Sequence, residues 1–279
     1  MLVKEIASRC VGAHMMITAS IGILVNVYMF RHFKNRKSSF YILCASKTIS
    51  NTLESMIYLI FVGPIHAFYT SIGSAKLSKY LNQAMGFGIY LQGPMMKTTN
   101  RFLVVCFFPT NVPRNSTKIT VAALLLSWIF TAWFSTLIGM PKKCLVPFSF
   151  EHVSMHSTAC NNQLTVIMIS AVFCIAVCTN LMNSWIAIKL ICFSIIEYDM
   201  ISTSTANSRR KSRIYFFIQS CFQDWIHLIV IANNFLSFYY CSDFVCTTLA
   251  SMGLDVTVCL TDGFLMYIFN CWLHSDKKI

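Results

Sequence analysis

Charged side chains interrupt long apolar stretches of this 279-residue chain, among them Lys47, Lys97, Asp224 and Asp262. An uncompensated charge in the middle of a lipid bilayer costs on the order of 3 kcal/mol on insertion scales, so such residues usually face other protein groups and form pairs. The pattern therefore predicts an intramembrane ion network. Asp224 is a candidate partner either for Lys47 or for the basic residues Lys97 and Arg101, whose four-residue spacing places both on one helix face.

The stretches that carry these charges are long enough to cross a membrane. The chain is 56% hydrophobic and only 11% charged, whereas a soluble domain is about a quarter charged. A membrane-spanning helix needs about 20 mainly apolar residues. Seven segments meet this requirement, at approximately 10–30, 39–62, 81–106, 118–140, 164–192, 213–236 and 245–269. The sequence thus predicts an all-α bundle of seven transmembrane helices that forms a single domain over residues 1–279.

Basic residues in the short connections predict the orientation of the bundle. Lys and Arg are retained on the cytoplasmic side of a membrane, and they cluster after the first segment, at 31–37, and before the sixth, at 209–213. This distribution places the N-terminus outside and the C-terminus in the cytosol. It also explains the net charge of +12 as membrane topology, so nucleic acid is not an expected partner.

The sequence lacks the patterns of an enzyme or a metalloprotein. Its His and Cys residues show no zinc-ligand spacing, and it has no phosphate-binding loop. The predicted topology brings no plausible nucleophile and general base together. We therefore expect no catalytic residue, no metal site and no cofactor.

The inner end of the third segment reads Asn100-Arg101-Phe102, followed by Phe108-Pro109. Rhodopsin-like receptors carry their Asp/Glu-Arg-Tyr switch at this place, and Asn26 and Trp128 fall at landmark positions of that superfamily. More specifically, the chain resembles nematode chemoreceptors of serpentine receptor class x. The matching stretches lie between about residues 20 and 270, namely Ser39–Asn51, Gly93-Pro94, Asn100-Arg101-Phe102 with Phe108-Pro109, Cys144 and Cys160, Gln223-Asp224, Asp262-Gly263-Phe264 and Phe269-Asn270.

This resemblance implies roles for the cytosolic residues. It makes Asn100, Arg101 and Phe102 the switch that responds to a heterotrimeric G protein. The basic stretch before the sixth helix would contact the G protein through Arg209, Arg210, Lys211 and Arg213.

The resemblance also implies a specific ion pair. Lys47 occupies the place at which rhodopsin-like receptors hold the aspartate of their sodium site, and Asp262 occupies the facing place in the seventh helix. A Lys47–Asp262 pair would replace the sodium site. The alternative is that each group is hydrogen-bonded locally and not to the other.

The cysteines of the second outer loop depart from the wider superfamily. The usual outer cysteine of the third helix would fall near Lys76 and is missing. We therefore expect Cys144 and Cys160 to form a disulfide with each other, in the two-cysteine loop that the family shares. Cys241 and Cys246 are a second candidate pair, and palmitoylation of Cys271 stays open.

Polar and aromatic residues in the outer half of the bundle are candidates for a ligand pocket. The alternative is that they are interhelical contacts or aromatic belt residues. The candidates are Tyr90, Gln92, Trp225, His227 and Asp255, together with His66, Asn233 and Asn234.

The resemblance implies a chemosensory receptor in the plasma membrane of a sensory cell. Such a receptor binds an extracellular small molecule or peptide and signals to a heterotrimeric G protein. A small transporter or channel is one alternative, because intramembrane Lys and Asp residues also mark ion pathways. A receptor-like protein without G-protein coupling is the other.

Overall fold

The computed structural model describes residues 2–35, 39–69, 116–139, 148–149, 154–155, 218–219, 221–233 and 252–275, with single helical positions between 163 and 188 and at 236 and 240. The described helices are α1 (Leu2–Phe33), α2 (Ser39–Ile57), α3 (Gly63–Phe68), α4 (Ser116–Gly139), α5 (221–233) and α6 (Met252–Ser275). A five-residue π-helix, Tyr58–Val62, joins α2 to α3.

Helix α1 begins at Leu2, eight residues before the predicted start. Its first turns are polar, but Glu5 lies at the positive end of the helix dipole. The Arg9 guanidinium donates to the Glu5 carboxylate at 2.7 Å, one turn away. These local interactions continue the helix beyond the apolar stretch, so a prediction based on hydropathy alone places its start too late.

The second helix continues past the predicted end at residue 62. Pro64 follows the π-helix and has no N–H to donate, and its ring would clash with the carbonyl four residues earlier in a regular α-helix. The wider π turn at Tyr58–Val62 changes the hydrogen-bond register just before this proline. The helix then runs to Phe68 and ends at Tyr69, whose φ of 50° is left-handed.

Helix α4 agrees with its predicted bounds more closely than α6 does. Helix α4 lies close to the predicted 118–140. Helix α6 runs six residues beyond the predicted end, to Ser275, since Cys271-Trp272-Leu273 continues the apolar sequence without a helix breaker. The third predicted segment, 81–106, lies outside the described residues.

A short β-hairpin lies between Cys144 and Cys160 in the chain. Strand β1 (Phe148–Ser149) pairs antiparallel with β2 (Ser154–Met155), with Phe148 opposite Met155. Every other described element is helical, in agreement with the predicted helical class. The cysteines themselves lie outside the described residues.

The helices place polar side chains inside and large apolar side chains outside. In α4, Ser127 and Thr131 are buried, whereas Leu125, Leu126 and Ile129 are exposed. Helix α5 has the same arrangement, with Gln223, Asp224 and His227 buried and Phe222, Trp225 and Ile229 exposed. A soluble protein buries its apolar residues instead. Lipid favours the observed arrangement, since ionisable groups in a membrane face the bundle interior.

Length and composition identify one candidate membrane span within the described part of the chain, Lys4–Phe33. A shorter apolar helix, Thr120–Trp133, lies within α4.

Helix α1 packs against α2, α3 and α6, and α2 packs against α6. One apolar cluster joins Met15 and Ala19 of α1 to Tyr58 and to Val256 of α6, and another joins Met29 to Cys44 and Met266. From Cys44 in α2 to Tyr58 just beyond its end, the contacting residue of α6 changes from Met266 to Val256. The chain direction of α6 is therefore opposite to that of α2, and the two helices are antiparallel.

Glycine permits the closest approach between α1 and α3. A Cβ atom at Gly12 would collide with the backbone nitrogen of Ala67 and lie 2.7 Å from the Gly63 carbonyl oxygen. Because the obstacles are backbone atoms, a larger side chain at Gly12 requires the two helices to separate.

Candidate functional site

The centre of the candidate site is an ion pair between α2 and α6. The Lys47 Nζ atom lies 3.0 Å from Asp262 Oδ2, and the two side chains are 11% and 0% exposed. Both face the interior, as expected for intramembrane charges. The two residues therefore have the arrangement that the sequence predicts, although their role in signalling stays a prediction.

Helix α5 joins this pair through the same carboxylate oxygen. The His227 Nε2 atom lies 2.7 Å from Asp262 Oδ2, and the His227 side chain is 10% exposed. One turn away, the Gln223 side-chain amide donates to the Asp262 backbone carbonyl at 3.1 Å. Asp262 therefore connects three helices, and we call Lys47, Asp262, His227 and Gln223 the central network.

The charge of the central network depends on the protonation of His227. With protonated Lys47, ionised Asp262 and neutral His227, the three side chains have no net charge. Adding a proton to His227 gives them a net charge of +1. In both forms, a proton on Nε2 lets His227 donate a hydrogen bond to Asp262 Oδ2.

Two residues predicted for the ligand pocket lie on opposite faces of α5. His227 belongs to the central network. Trp225 is 52% exposed on the outward face of α5 with Phe222 and Ile229, and its role as a ligand contact stays a prediction. Two residues along a helix rotate the side-chain direction by about 200°, so Trp225 and His227 cannot both face the interior.

The other two predicted acidic residues, Asp224 and Asp255, lie at positions different from that of Asp262. Asp224 is buried, and its backbone carbonyl accepts a hydrogen bond from the Asn180 amide at 3.5 Å. The contact to Lys47 is made by Asp262. Asp255 is half-buried in the first turn of α6.

Sequence reasoning missed the joint role of Gln223 and His227. A signal was present, because residues four apart share a helix face, and these two polar side chains lie in an otherwise apolar stretch. Their partner on α6 could not be identified from spacing within α5.

A second polar cluster connects α1, α2 and α6. The Asn26 amide donates to the carbonyls of Gly22 at 2.8 Å and Cys259 at 3.1 Å. The Asn51 amide donates to Asn26 Oδ1 at 3.3 Å. A Cβ atom at Gly263 would lie 3.0 Å from the Asn26 amide nitrogen, so the glycine after Asp262 lets α6 approach α1. The contact with Asn26 positions the α6 backbone on both sides of Asp262.

Trp128, the other predicted landmark, lies on α4. Its indole Nε1–H donates to the Ser46 hydroxyl at 3.3 Å. Because Ser46 immediately precedes Lys47, this bond ties α4 to the turn of α2 that carries the ion pair.

Several predicted site residues lie outside the described residues. They are Tyr90, Gln92, Lys97, Asn100, Arg101, Phe102, Cys144, Cys160, Arg209, Arg210, Lys211 and Arg213. Within the part of the chain that the structure describes, no group of three or more His, Cys, Asp or Glu side chains could hold a metal ion.

An inside-out helical arrangement around a buried ion network is the architecture of a multi-span membrane protein. The sequence profile of the serpentine-type seven-transmembrane G-protein-coupled chemoreceptors, class Srx, matches residues 16–270, and the chain belongs to this family. The resemblance found in the sequence is thereby confirmed. The family is one of membrane chemoreceptors, not of enzymes. No relative was found among curated proteins.

Proposed function

We propose that this chemoreceptor lies in the plasma membrane of a sensory cell, binds an extracellular small molecule or peptide, and activates a heterotrimeric G protein. Membership of the Srx family supports a chemosensory role. The observation that carries the mechanism is the shared Asp262 carboxylate, which binds Lys47 and His227 at 3.0 and 2.7 Å.

Signalling would follow from a shift between two packings of the bundle. A ligand can shift such an equilibrium only if it binds one packing more tightly than the other. Movement of α5 away from α6 must break the His227 and Gln223 bonds to Asp262. The central network therefore stabilises the packing described here, and a bound ligand would favour the packing in which those bonds are lost.

The proposed cytosolic response uses residues identified by the family resemblance. Arg101 would act as the switch at the inner end of the third helix. The basic residues Arg209, Arg210, Lys211 and Arg213 would contact the G-protein α subunit. Loss of the α5–α6 bonds would open the inner face between these elements.

The proposal is tested by nucleotide exchange on purified G-protein α subunits, with the receptor in lipid nanodiscs and no added ligand. His227→Leu removes the bond from α5 to Asp262 and should raise basal exchange. Arg101→Ala in the same background should abolish it while leaving surface expression largely intact. Trp225→Phe is the matched control, since it lies on α5 but faces outward.

The outcomes separate the candidate functions. Basal exchange that is absent from all correctly folded variants, across a panel of α subunits, would argue for a protein without G-protein coupling. Ion flux into receptor-containing liposomes, dependent on Lys47 and Asp262, would instead support a transporter or channel. If the Arg101→Ala variant signals normally, Arg101 serves only as a topology anchor.

A further inference from the structure

The central network has an acidic counterpart two helical turns further out. Glu54 follows Lys47 by seven residues on α2, and Asp255 precedes Asp262 by seven residues on α6. Seven residues along a helix advance about 10 Å and return to nearly the same face. Because α2 and α6 are antiparallel and Lys47 contacts Asp262, the two outer carboxylates lie at the same level.

The outer level, that of Glu54 and Asp255, therefore has two acidic residues. The inner level, that of Lys47 and Asp262, has one basic and one acidic residue. Glu54 is 2% exposed, and Asp255 is half-buried. Tyr58 follows Glu54 by four residues, and its side chain packs beside Val256, the residue after Asp255. A cation placed between two carboxylates is attracted by both of them.

A buried hydroxyl at this level points independently to a bound polar group. Tyr58 is 0% exposed, and within the described part of the chain its hydroxyl has no hydrogen-bond partner. Buried polar atoms nearly always have a partner, and an exception calls for an ion, a water or a functional role. The phenol of Tyr58 lies one helical turn outward from Glu54, on the same side of the helix.

The backbone is also irregular at this point. The π-helix begins at Tyr58, and π turns within α-helices are frequent at functional sites. The wider turn alters the direction of the side chains that follow Glu54. The acidic pair, the Tyr58 hydroxyl and the π turn thus coincide in the outer half of the bundle.

We propose that Glu54, Asp255 and Tyr58 form the binding site for a protonated amine. This inference rests on the proposed receptor function and names the chemical class of its extracellular ligand. An ammonium group donates hydrogen bonds to both carboxylates and to the phenol oxygen, and it is attracted to the face of an aromatic ring. The half-exposed Asp255 marks the side from which the ligand enters.

The donor set favours an ammonium group over a multivalent metal. Such a metal needs several ligands of fixed geometry, and the described residues include no group of three or more suitable side chains. An ammonium ion needs fewer and less regular contacts. The Asp262 carboxylate, two turns further in, is already paired with Lys47, so it does not compete for the amine.

The test measures thermal unfolding of the purified full-length receptor in lipid nanodiscs with n-butylammonium chloride as the probe. The midpoint temperature should rise with probe concentration, whereas n-butanol and sodium chloride should have little effect. Glu54→Gln and Asp255→Asn should each weaken the apparent affinity about tenfold or more, because removing one partner of a buried charge contact is costly. Tyr58→Phe removes only the hydroxyl and should weaken it less.

Glu5→Gln is the matched control, since Glu5 is an acidic residue of α1 that pairs with Arg9 at a partly exposed position. This variant should respond to the probe like the wild type. An equal response to sodium would overturn the amine assignment in favour of an inorganic cation. Wild-type protein that unfolds cooperatively but does not respond to n-butylammonium, or a Glu54→Gln variant with undiminished response, would also overturn it. The readout uses no G protein, so failure of coupling would leave this result unaffected.

Discussion

Replacing Lys47 with Met should destabilise the receptor by leaving the buried Asp262 carboxylate without its lysine. At 3.0 Å and an effective dielectric constant of about 20, the Coulomb attraction between the two charges is about 5.5 kcal/mol. Desolvation offsets much of this attraction, but removing one partner of a buried pair typically costs about 3–5 kcal/mol. His227 remains 2.7 Å from the same oxygen, and its hydrogen bond to the carboxylate compensates part of the loss. We therefore expect a loss near the lower limit, about 3 kcal/mol.

Removing both charges should be less damaging than removing one. The double variant Lys47→Met with Asp262→Asn has no buried charge to compensate, and neutral replacements of buried pairs are often close to neutral in stability. The charge swap, Lys47→Asp with Asp262→Lys, should recover only part of the loss. It places an ammonium group beside His227, which then has no carboxylate at that position.

The measurements are surface expression and the free energy of unfolding, followed in mixed micelles with an increasing fraction of denaturing detergent. The control is Arg9→Met, which breaks the partly exposed pair with Glu5 at 2.7 Å. Exposed pairs contribute about 0–1 kcal/mol. If Lys47→Met costs no more than Arg9→Met, the pair does not stabilise the bundle. If the double variant is less stable than either single variant, charge compensation is the wrong explanation. Added sodium should have little effect on the wild type.

Three other predictions concern His66, Gly12 and the pair Cys144 and Cys160. Burial lowers the pKa of His66, beyond the predicted second span, from 6.5 to about 4. Protonation of the unfolded state should thus remove stability as pH falls from 6.5 towards 4, by at most about 3 kcal/mol. His66→Gln should flatten the dependence of the melting temperature on pH in this range, whereas His14→Gln, at an exposed position on α1, should not. Gly12→Leu should force α1 away from α3 and reduce surface expression by more than Gly12→Ala does. Peptide mapping without reduction should recover Cys144 linked to Cys160, and Cα atoms of these residues more than about 7 Å apart would exclude the bond.

Some features of this protein follow from local rules and could be predicted from the sequence. A long apolar stretch must become a helix in lipid, because no water is present to satisfy its backbone polar groups. A lysine and an aspartate at similar depths have a strong reason to meet, and Lys47 and Asp262 do so. The helices needed only the hydropathy of the sequence, whereas the choice of Lys47 and Asp262 as partners also used the family resemblance.

Other features depend on the rotation of each helix about its axis, which is set by contacts distant in sequence. His227 contacts Asp262 while Trp225 faces outward, and hydropathy assigns both residues to the same span without choosing between their faces. The tertiary structure also decides that Glu54 of α2 and Asp255 of α6 lie at the same level. That level depends on how far α6 is shifted along α2, and the shift is fixed by packing and by the Lys47–Asp262 contact between residues more than 200 positions apart.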